Sequence, residues 1–505
     1  MLAQNLPDDL TETARRIRAI FDERAEWLLV RQRNFPLQSS EIEVAEQNGK
    51  LVLSCLTEKG WQTWRVTNLN LSDEKIVFEV ARKLNSNDAK LEFIPRITNE
   101  DLRDDVNKAR LAKACELAET ARKSLSTFAK TERVGLSPGN QRKIFGKIAR
   151  ILLTMPNGKT VAVCGAIVEN VETSRFLASS LLWFDKLLEK RDIKEFWFVV
   201  DAKSVENLSR IHALLDLNLK SKIKIFVAEM QQRGEIPETV LTQIAALGFD
   251  DLWREKCKKV SRPKSIEAGF GAKNIVKFAP KAIDVVRSKY GETLRFHGLP
   301  FARIRNFLNQ EKLWFGVDEN RRQILDDSSF EEFEKLVEDL REHRRANVED
   351  KRHLLYRSAA ENWLESLLRR DVSRLDPNLI LAPLHAQFRV SQKQGSLDLL
   401  ALRTDGRLVV IELKVSADRE HVFQAANYWR SIELQRRRGN LKGLFGDLKI
   451  LDESPLVYLV APLLSFHKDF DVLAKMITPE IEIWRFDLNE DWREGVKVAR
   501  TQRVN

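Results

Sequence analysis

The sequence predicts a multidomain α/β protein, and three observations carry that expectation. The chain has 505 residues, enough for two or three domains with sizeable cores. Between residues 139 and 248 strand-like and helical runs alternate, the order that builds α/β layers. Near the C-terminus two apolar strand patterns flank an Asp-Gly turn and lead into a long helical run.

Taken from the start, residues 10–31 read as a helix. Residues 41–96 are strand-rich, with turn signals at Asn48-Gly49 and Asn85 to Asn87, which predicts an antiparallel sheet. Helical spacing returns over residues 100–130 through Leu102, Val106, Ala109, Leu111, Ala114, Leu117 and Ala118. Residues 1–130 are therefore expected to form an N-terminal α+β domain with an antiparallel sheet.

An α/β layer domain is expected over 139–250. Residues 151–154 and 160–167 flank Pro156-Asn157-Gly158 as a hairpin. A helix through Leu188, a strand at 196–200, a helix through Leu215 and a strand at 223–227 follow.

Residues 251–350 read as a basic linker and a charged helical connector. Residues 251–305 hold fourteen Lys or Arg against five Asp or Glu, and Pro263, Gly269, Gly271 and Pro280 give them a loop-like composition. Lys256, Lys258, Lys259, Arg262 and Lys264 cluster there, followed by Lys273, Lys277, Lys281, Arg287 and Lys289. Such residues suit a phosphate backbone, and a solvated linker is the alternative. Residues 328–357 form a charged helix with Phe330, Phe333, Leu336, Val337 and Leu340 on one stripe.

The last domain is expected over 351–505. Residues 395–428 read GSLDLLALRTDGRLVVIELKVSADREHVFQAANY. Side chains alternate along a strand, so Glu412 and Lys414 share one face while Ile411, Leu413 and Val415 take the other. Asp398 lies in an apolar run on the paired arm, where a charge needs a partner. Two carboxylates supply hard oxygen ligands for Mg²⁺, and a lysine beside them suits charge neutralisation during metal-assisted phosphodiester cleavage. Upstream, Leu364, Leu367 and Leu368 mark an amphipathic helix on which Glu361, or less favourably Glu365, can border the buried face. Gln424 and Tyr428, four apart, share a face of the helix over 419–436. A surface Gln and a core Tyr are the alternative reading of that pair.

Asp398, the Glu412-Leu413-Lys414 triplet and Gln424-x-x-x-Tyr428 resemble the PD-(D/E)xK nuclease superfamily, and the last element resembles its RecB-like branch. The wording GSLDLLAL followed by GRLVVIELK is similar to the nuclease domain of NucS-like DNA endonucleases. The resemblance covers the C-terminal third and implies a restriction-endonuclease-like α/β nuclease core. It implies Asp398, Glu412, Leu413 and Glu361 as ligands of Mg²⁺ (or Mn²⁺), with Lys414 serving the nucleophilic water. Gln424 and Tyr428 would lie against substrate, and Arg436, Arg437 and Arg438 are candidates for phosphate contact. Leu397 stands before Asp398 where the family name has Pro. The hairpin-then-helix order over 139–248 echoes the same core, but its second strand reads VAVCGAI and lacks the acidic residues. An inactive relative of the core and a Rossmann-like ligand sensor both stay open, the latter without a G-x-G-x-x-G.

Composition narrows the classes. Hydrophobic residues at 43% and charged residues at 31% argue against global disorder. No run of about 20 apolar residues is present, and the start of the chain is unlike a secretory signal, so a cytoplasmic protein with no membrane partner is expected. Cys55, Cys115, Cys164 and Cys257 lie far apart, without zinc or disulfide spacing. A net charge of +10 favours an acidic partner, with DNA the expected nucleic acid. The sequence thus predicts a metal-dependent nuclease. A ligand- or partner-regulated effector nuclease of a defence system and an inactive nucleic-acid-binding protein are the alternatives.

Overall fold

The computed structural model describes the chain apart from residues 1–8, 25, 31–34, 58–59, 73–74, 82–88, 97–98, 140–143, 170, 233–236, 257–267, 289–290, 308–309, 382–387 and 390–395. Its described residues form a mixed α/β architecture with four sheets of five to seven strands and a two-stranded ribbon. None of its described helices is long and apolar enough to cross a membrane. The chain divides into two compact units.

The first unit comprises residues 1–112 and 138–145. Its seven-stranded antiparallel sheet runs in the order Phe35–Gln38, Glu26–Val30, Ala89–Pro95, Ile76–Ala81, Gly60–Leu71, Lys50–Thr57, Ile42–Gln47. The Asn48-Gly49 signal is a two-residue turn with both residues at positive φ, which matches the twist of the flanking strands. Asn85 to Asn87 lie outside the described residues. The helix expected over 10–31 covers only Leu10–Asp22. Beyond it Trp27 and Leu29 bury alternately, a period of two, and Glu26–Val30 is a strand. The indole of Trp27 donates to the Phe21 carbonyl at 3.0 Å, which seals the helix end against that strand.

The second unit comprises 113–137 and 146–505 and contains three sheets. The helix Asn99–Leu125 enters it with Ala114, Ala118 and Ala121 buried, whereas Leu102, Val106 and Leu111 are exposed. The α/β layer runs in the order Lys130–Pro138, Phe145–Thr154, Thr160–Ala166, Ile193–Val200, Ile223–Gln232, Pro237–Ile244. Its three middle strands from Thr160 onward are parallel, joined by the helices Thr173–Leu188 and Ala202–His212.

From residue 283 onward the stretch expected as a basic linker is folded as a sheet instead, while residues 257–267 lie outside the described residues. Ile283–Ser288, Gly291–Phe296, Leu299–Phe307, Gln310–Phe315 and Gln323–Ile324 form an antiparallel sheet. Its apolar face, with Leu294, Phe296, Phe301 and Ile304, packs on Phe333, Val337 and Leu340. Of the glycines that read as loop, Gly269 caps and Gly271 opens the helix Phe270–Val276, and the His297-Gly298 pair makes a tight turn of the sheet. His297 and Gly298 both have positive φ, and a Cβ on Gly298 would stand 2.0 Å from the Asn362 carbonyl. The charged helix spans Phe330–His343 and stops at Arg344. That buried guanidinium donates to the carbonyls of Phe296, His297, Leu355, Ser358 and Ala359, which fastens the sheet to the start of helix Ala360–Arg370.

The C-terminal sheet has the order Leu379–Leu381, Leu399–Arg403, Leu408–Leu413, Leu456–Pro462, Ile483–Leu488, Val498–Arg503. Leu408–Leu413, Leu456–Pro462 and Ile483–Leu488 are parallel. Helix His421–Arg437 joins the first two and Phe470–Lys475 lies between the last two in sequence. One apolar cluster unites Val422, Phe423, Trp429 and Leu473 with Phe176, Leu181, Leu208 and Ile211 of the preceding α/β layer. The two layers therefore pack helix to helix.

Candidate functional site

The candidate acidic residues meet at one end of the C-terminal sheet. Leu399–Arg403 pairs antiparallel to Leu408–Leu413, with Leu402 opposite Leu408 and Leu399 opposite Ile411. Asp405 and Gly406 make the expected turn, the Gly406 φ of 90° being one that glycine tolerates. Asp398 sits in a bend one residue before its strand, and its Oδ2 accepts the Leu413 amide at 2.8 Å. A side chain thus replaces the next rung of the ladder and holds the carboxylate next to Glu412.

Glu412 and Lys414 share a face, as alternation requires, with Lys414 Nζ 3.7 Å from Glu412 Oε1. Ile411 and Leu413 turn the other way and join the core with Trp363 and Leu364. Lys414 Nζ also lies 3.6 Å from Asp418 Oδ2 and 3.9 Å from Glu361 Oε2. Glu361 comes from helix Ala360–Arg370, whose buried residues Trp363, Leu364 and Leu368 face the core. Its own side chain is 42% exposed and borders the site from solvent.

Burial dominates the electrostatics. Asp398 is pushed up to about 7, chiefly by desolvation, with the Leu413 amide pulling the other way. Glu412, 3% exposed, is raised by desolvation and then by the Asp398 charge. Its Oε2 has no hydrogen-bond partner. Burial alone would lower Lys414, but Glu412, Glu361, Asp418 and Asp398 outweigh it and hold the ammonium above its ordinary value. The site is therefore short of positive charge. Its donors, Asp398 and Glu412 with Glu361 at the rim, are all hard oxygens, the kind that suit a small divalent cation. Among the described residues no group of three His, Cys, Asp or Glu is gathered as a ready metal cage.

Gln424 and Tyr428 lie on helix His421–Arg437. The Gln424 Oε1 is buried without a hydrogen-bond partner. The Tyr428 ring packs in the cluster with Leu397, Leu400 and Val410, and its hydroxyl is held protonated by burial and by the nearby Glu412 and Asp398. Glu365 turns inward, bound to Arg369 at 2.7 Å and Arg295 at 3.4 Å. Arg369 in turn donates to the Asp398 carbonyl at 3.0 Å. Glu365 acts on the site through that arginine.

Three further residues belong to this arrangement. Besides Arg369, His421 stands 3.2 Å from the Glu412 carbonyl, kept neutral by burial, which lowers it to about 4. Asp418 is the third, facing Lys414. Only Asp418 left a trace in the sequence, as an acidic residue four positions past Lys414.

The arginine triplet is occupied elsewhere. Arg436 pairs with Glu433 and Asp452, Arg437 pairs with Glu433 and lies over the Trp253 ring, and Arg438 donates to the Trp253 and Glu255 carbonyls. Fifteen residues of helix separate Arg436 from His421, roughly 22 Å at 1.5 Å per residue. Lys256 is exposed, and Lys258, Lys259, Arg262 and Lys264 lie outside the described residues.

No family model and no curated protein matches the sequence. Among solved structures the chain is similar to the apo form of EndoMS, at 12% identity and a TM-score of 0.17, over 46% of this chain and 99% of that one.

Proposed function

We propose that the chain is a metal-dependent nuclease that hydrolyses phosphodiester bonds, with DNA the expected substrate. One observation carries the reading: the buried Glu412 and the half-buried Asp398 lie together beside Lys414, and one Glu412 oxygen has no hydrogen-bond partner. Two adjacent carboxylates withdrawn from water, with a single lysine between Glu412, Glu361 and Asp418 to balance them, make a poor structural feature, because desolvation disfavours their charge. They fit a bound cation well.

Asp398 and Glu412 would hold Mg²⁺ or Mn²⁺, with Glu361 at the rim and the Leu413 amide fixing Asp398. When bound, the cation would activate water and draw charge from the scissile phosphate. Lys414, kept protonated by its acidic neighbours, faces the position where negative charge grows and stabilises it there. Glu365 and Arg369 keep the Asp398 backbone in place. His421 braces the Glu412 carbonyl without competing charge. In the reaction a water oxygen bonds to phosphorus, the P–O bond to the sugar breaks, and the released sugar oxygen takes a proton.

Labelled single-stranded, duplex and flap DNA and RNA, incubated with the full chain and Mg²⁺ or Mn²⁺, test the reading. Metal-dependent cleavage that Glu412→Gln abolishes is expected. Cleavage equal in wild type and variant would refute the assignment.

A further inference from the structure

The strand order of the C-terminal sheet also runs through the preceding α/β layer: a hairpin, a helix, a parallel strand, a helix, a parallel strand and an antiparallel edge. The hairpins match residue by residue in register. Met155 bonds to Lys159 across one turn and Arg403 to Arg407 across the other, with Gly158 and Gly406 both at positive φ. The first layer pairs Ile151 with Val163 and Arg150 with Cys164; the second pairs Leu399 with Ile411, with Asp398 next before Glu412. The following helices begin at Thr173 and His421, the same 248-residue offset.

That register places Arg150 where the other layer has Asp398, Cys164 in place of Glu412, and Ala166 in place of Lys414. Phe176 and Ser180 take the places of Gln424 and Tyr428. The Arg150 guanidinium donates to the Ser179 carbonyl at 3.1 Å and lies over the Trp183 ring. Beside Ala166 and Phe176, the counterparts of Lys414 and Gln424, there is a small cavity lined also by Val171, Thr173, Val200, Ser204 and Leu208, with no carboxylate among them. A cation there would meet a fixed positive charge and a buried thiol, with hydroxyls and hydrocarbon but no carboxylate beside them.

The two layers also face each other as twins. Leu215 and Ile477, each just past the second helix of its layer, form an antiparallel bridge. Asp216 donates to the Met476 carbonyl at 2.8 Å, and Thr478 donates to the Leu214 carbonyl at 2.9 Å. These bonds are reciprocal, as at a two-fold axis, where equivalent residues meet.

We propose that the first layer fills the place of a second nuclease subunit without its chemistry, so that each chain is a one-site enzyme that nicks one strand of a duplex. The proposal rests on the nuclease reading above. Each nick adds OH from water to phosphorus and H to the released sugar oxygen, breaking one P–O bond. A second cut requires a fresh binding event.

Two readouts on the full chain test this. Mn²⁺ binding, followed by electron paramagnetic resonance, is expected to fall at least tenfold in Glu412→Gln and to stay within twofold of wild type in Arg150→Met. Strong Mn²⁺ binding that survives Glu412→Gln would place a cation outside this site and overturn the one-site account. Supercoiled circular DNA is expected to become open circles first, with linear product only after a lag. Linear product formed at the same rate as open circles would overturn nicking alone and leave the nuclease reading intact. Undiminished Mn²⁺ binding with no cleavage of any nucleic acid would overturn the nuclease reading, and nicking with it.

Discussion

Two layers of one strand order stand side by side in the second unit, and they differ most where the chemistry would be. At matched positions the first has Arg150, Cys164 and Ala166, and the second has Asp398, Glu412 and Lys414. The first layer's inward thiol is buried and pushed up to about 12, hence neutral. The second layer's inward carboxylates are also buried and stay costly. A sheet of this topology does not need acidic residues at that end, so their presence in one copy answers to something other than folding.

The largest effect expected from this contrast is catalytic. Lys414→Ala should slow cleavage by roughly 100- to 1,000-fold, the range for removing one preorganised stabiliser of transition-state charge. Mn²⁺ binding should persist. Ala166→Lys in the other layer should add no cleavage, and a gain there would break the contrast.

The next effect is on stability. Arg344→Met leaves up to five backbone carbonyls without their donor at the joint between the five-stranded sheet and helix Ala360–Arg370. A loss of about 3 kcal/mol is expected in denaturant unfolding, in the range for breaking a buried charged network. A loss below about 1 kcal/mol would show that the joint is dispensable.

The acidic pair should also leave a pH signature. Asp398 is raised to about 7 in the folded chain against an ordinary 3.8, and Glu412 is raised as well. Between those values the folded chain keeps a proton that the unfolded chain releases. Stability without divalent cation therefore falls as pH rises through that window, by about 1.4 kcal/mol per pH unit for each such group. Asp398→Asn should flatten the slope, and Mg²⁺ should oppose it. An Asp398→Asn variant with an unchanged slope would show that Asp398 is not the strained group.

The smallest expected effect concerns affinity. Neutralising Lys256, Lys258, Lys259, Arg262 and Lys264 together should reduce the dependence of duplex binding on salt, by about 0.9 log unit per decade for each phosphate that is no longer neutralised. An unchanged slope would mark the cluster as a solvated segment.

Much of the site was legible because strand alternation is a strict rule. The faces of Glu412 and Lys414 followed from their spacing, and Asp405-Gly406 fixed the turn. Arg369 and His421 were not legible, because each acts through a backbone carbonyl, which no side-chain pattern in the sequence records. The five-stranded sheet was hidden by the prolines, glycines and basic residues just before it, of which Gly269 and Gly271 turn out to start the helix Phe270–Val276. The helix at the start was overextended because Glu26–Val30 is short and follows without a Pro or Gly break. The likeness of the two layers was visible as an order of elements, but the matched register needed both hairpins in three dimensions.

The most direct test of the central claim is cleavage of a labelled duplex by wild type and Glu412→Gln in Mg²⁺, with folding of both checked by thermal melts. The expected result is cleavage by wild type that chelation stops, and a loss of at least about 1,000-fold, the scale of a lost catalytic group, in a variant that melts no lower than wild type. Cleavage by the folded variant within tenfold of wild type would contradict it.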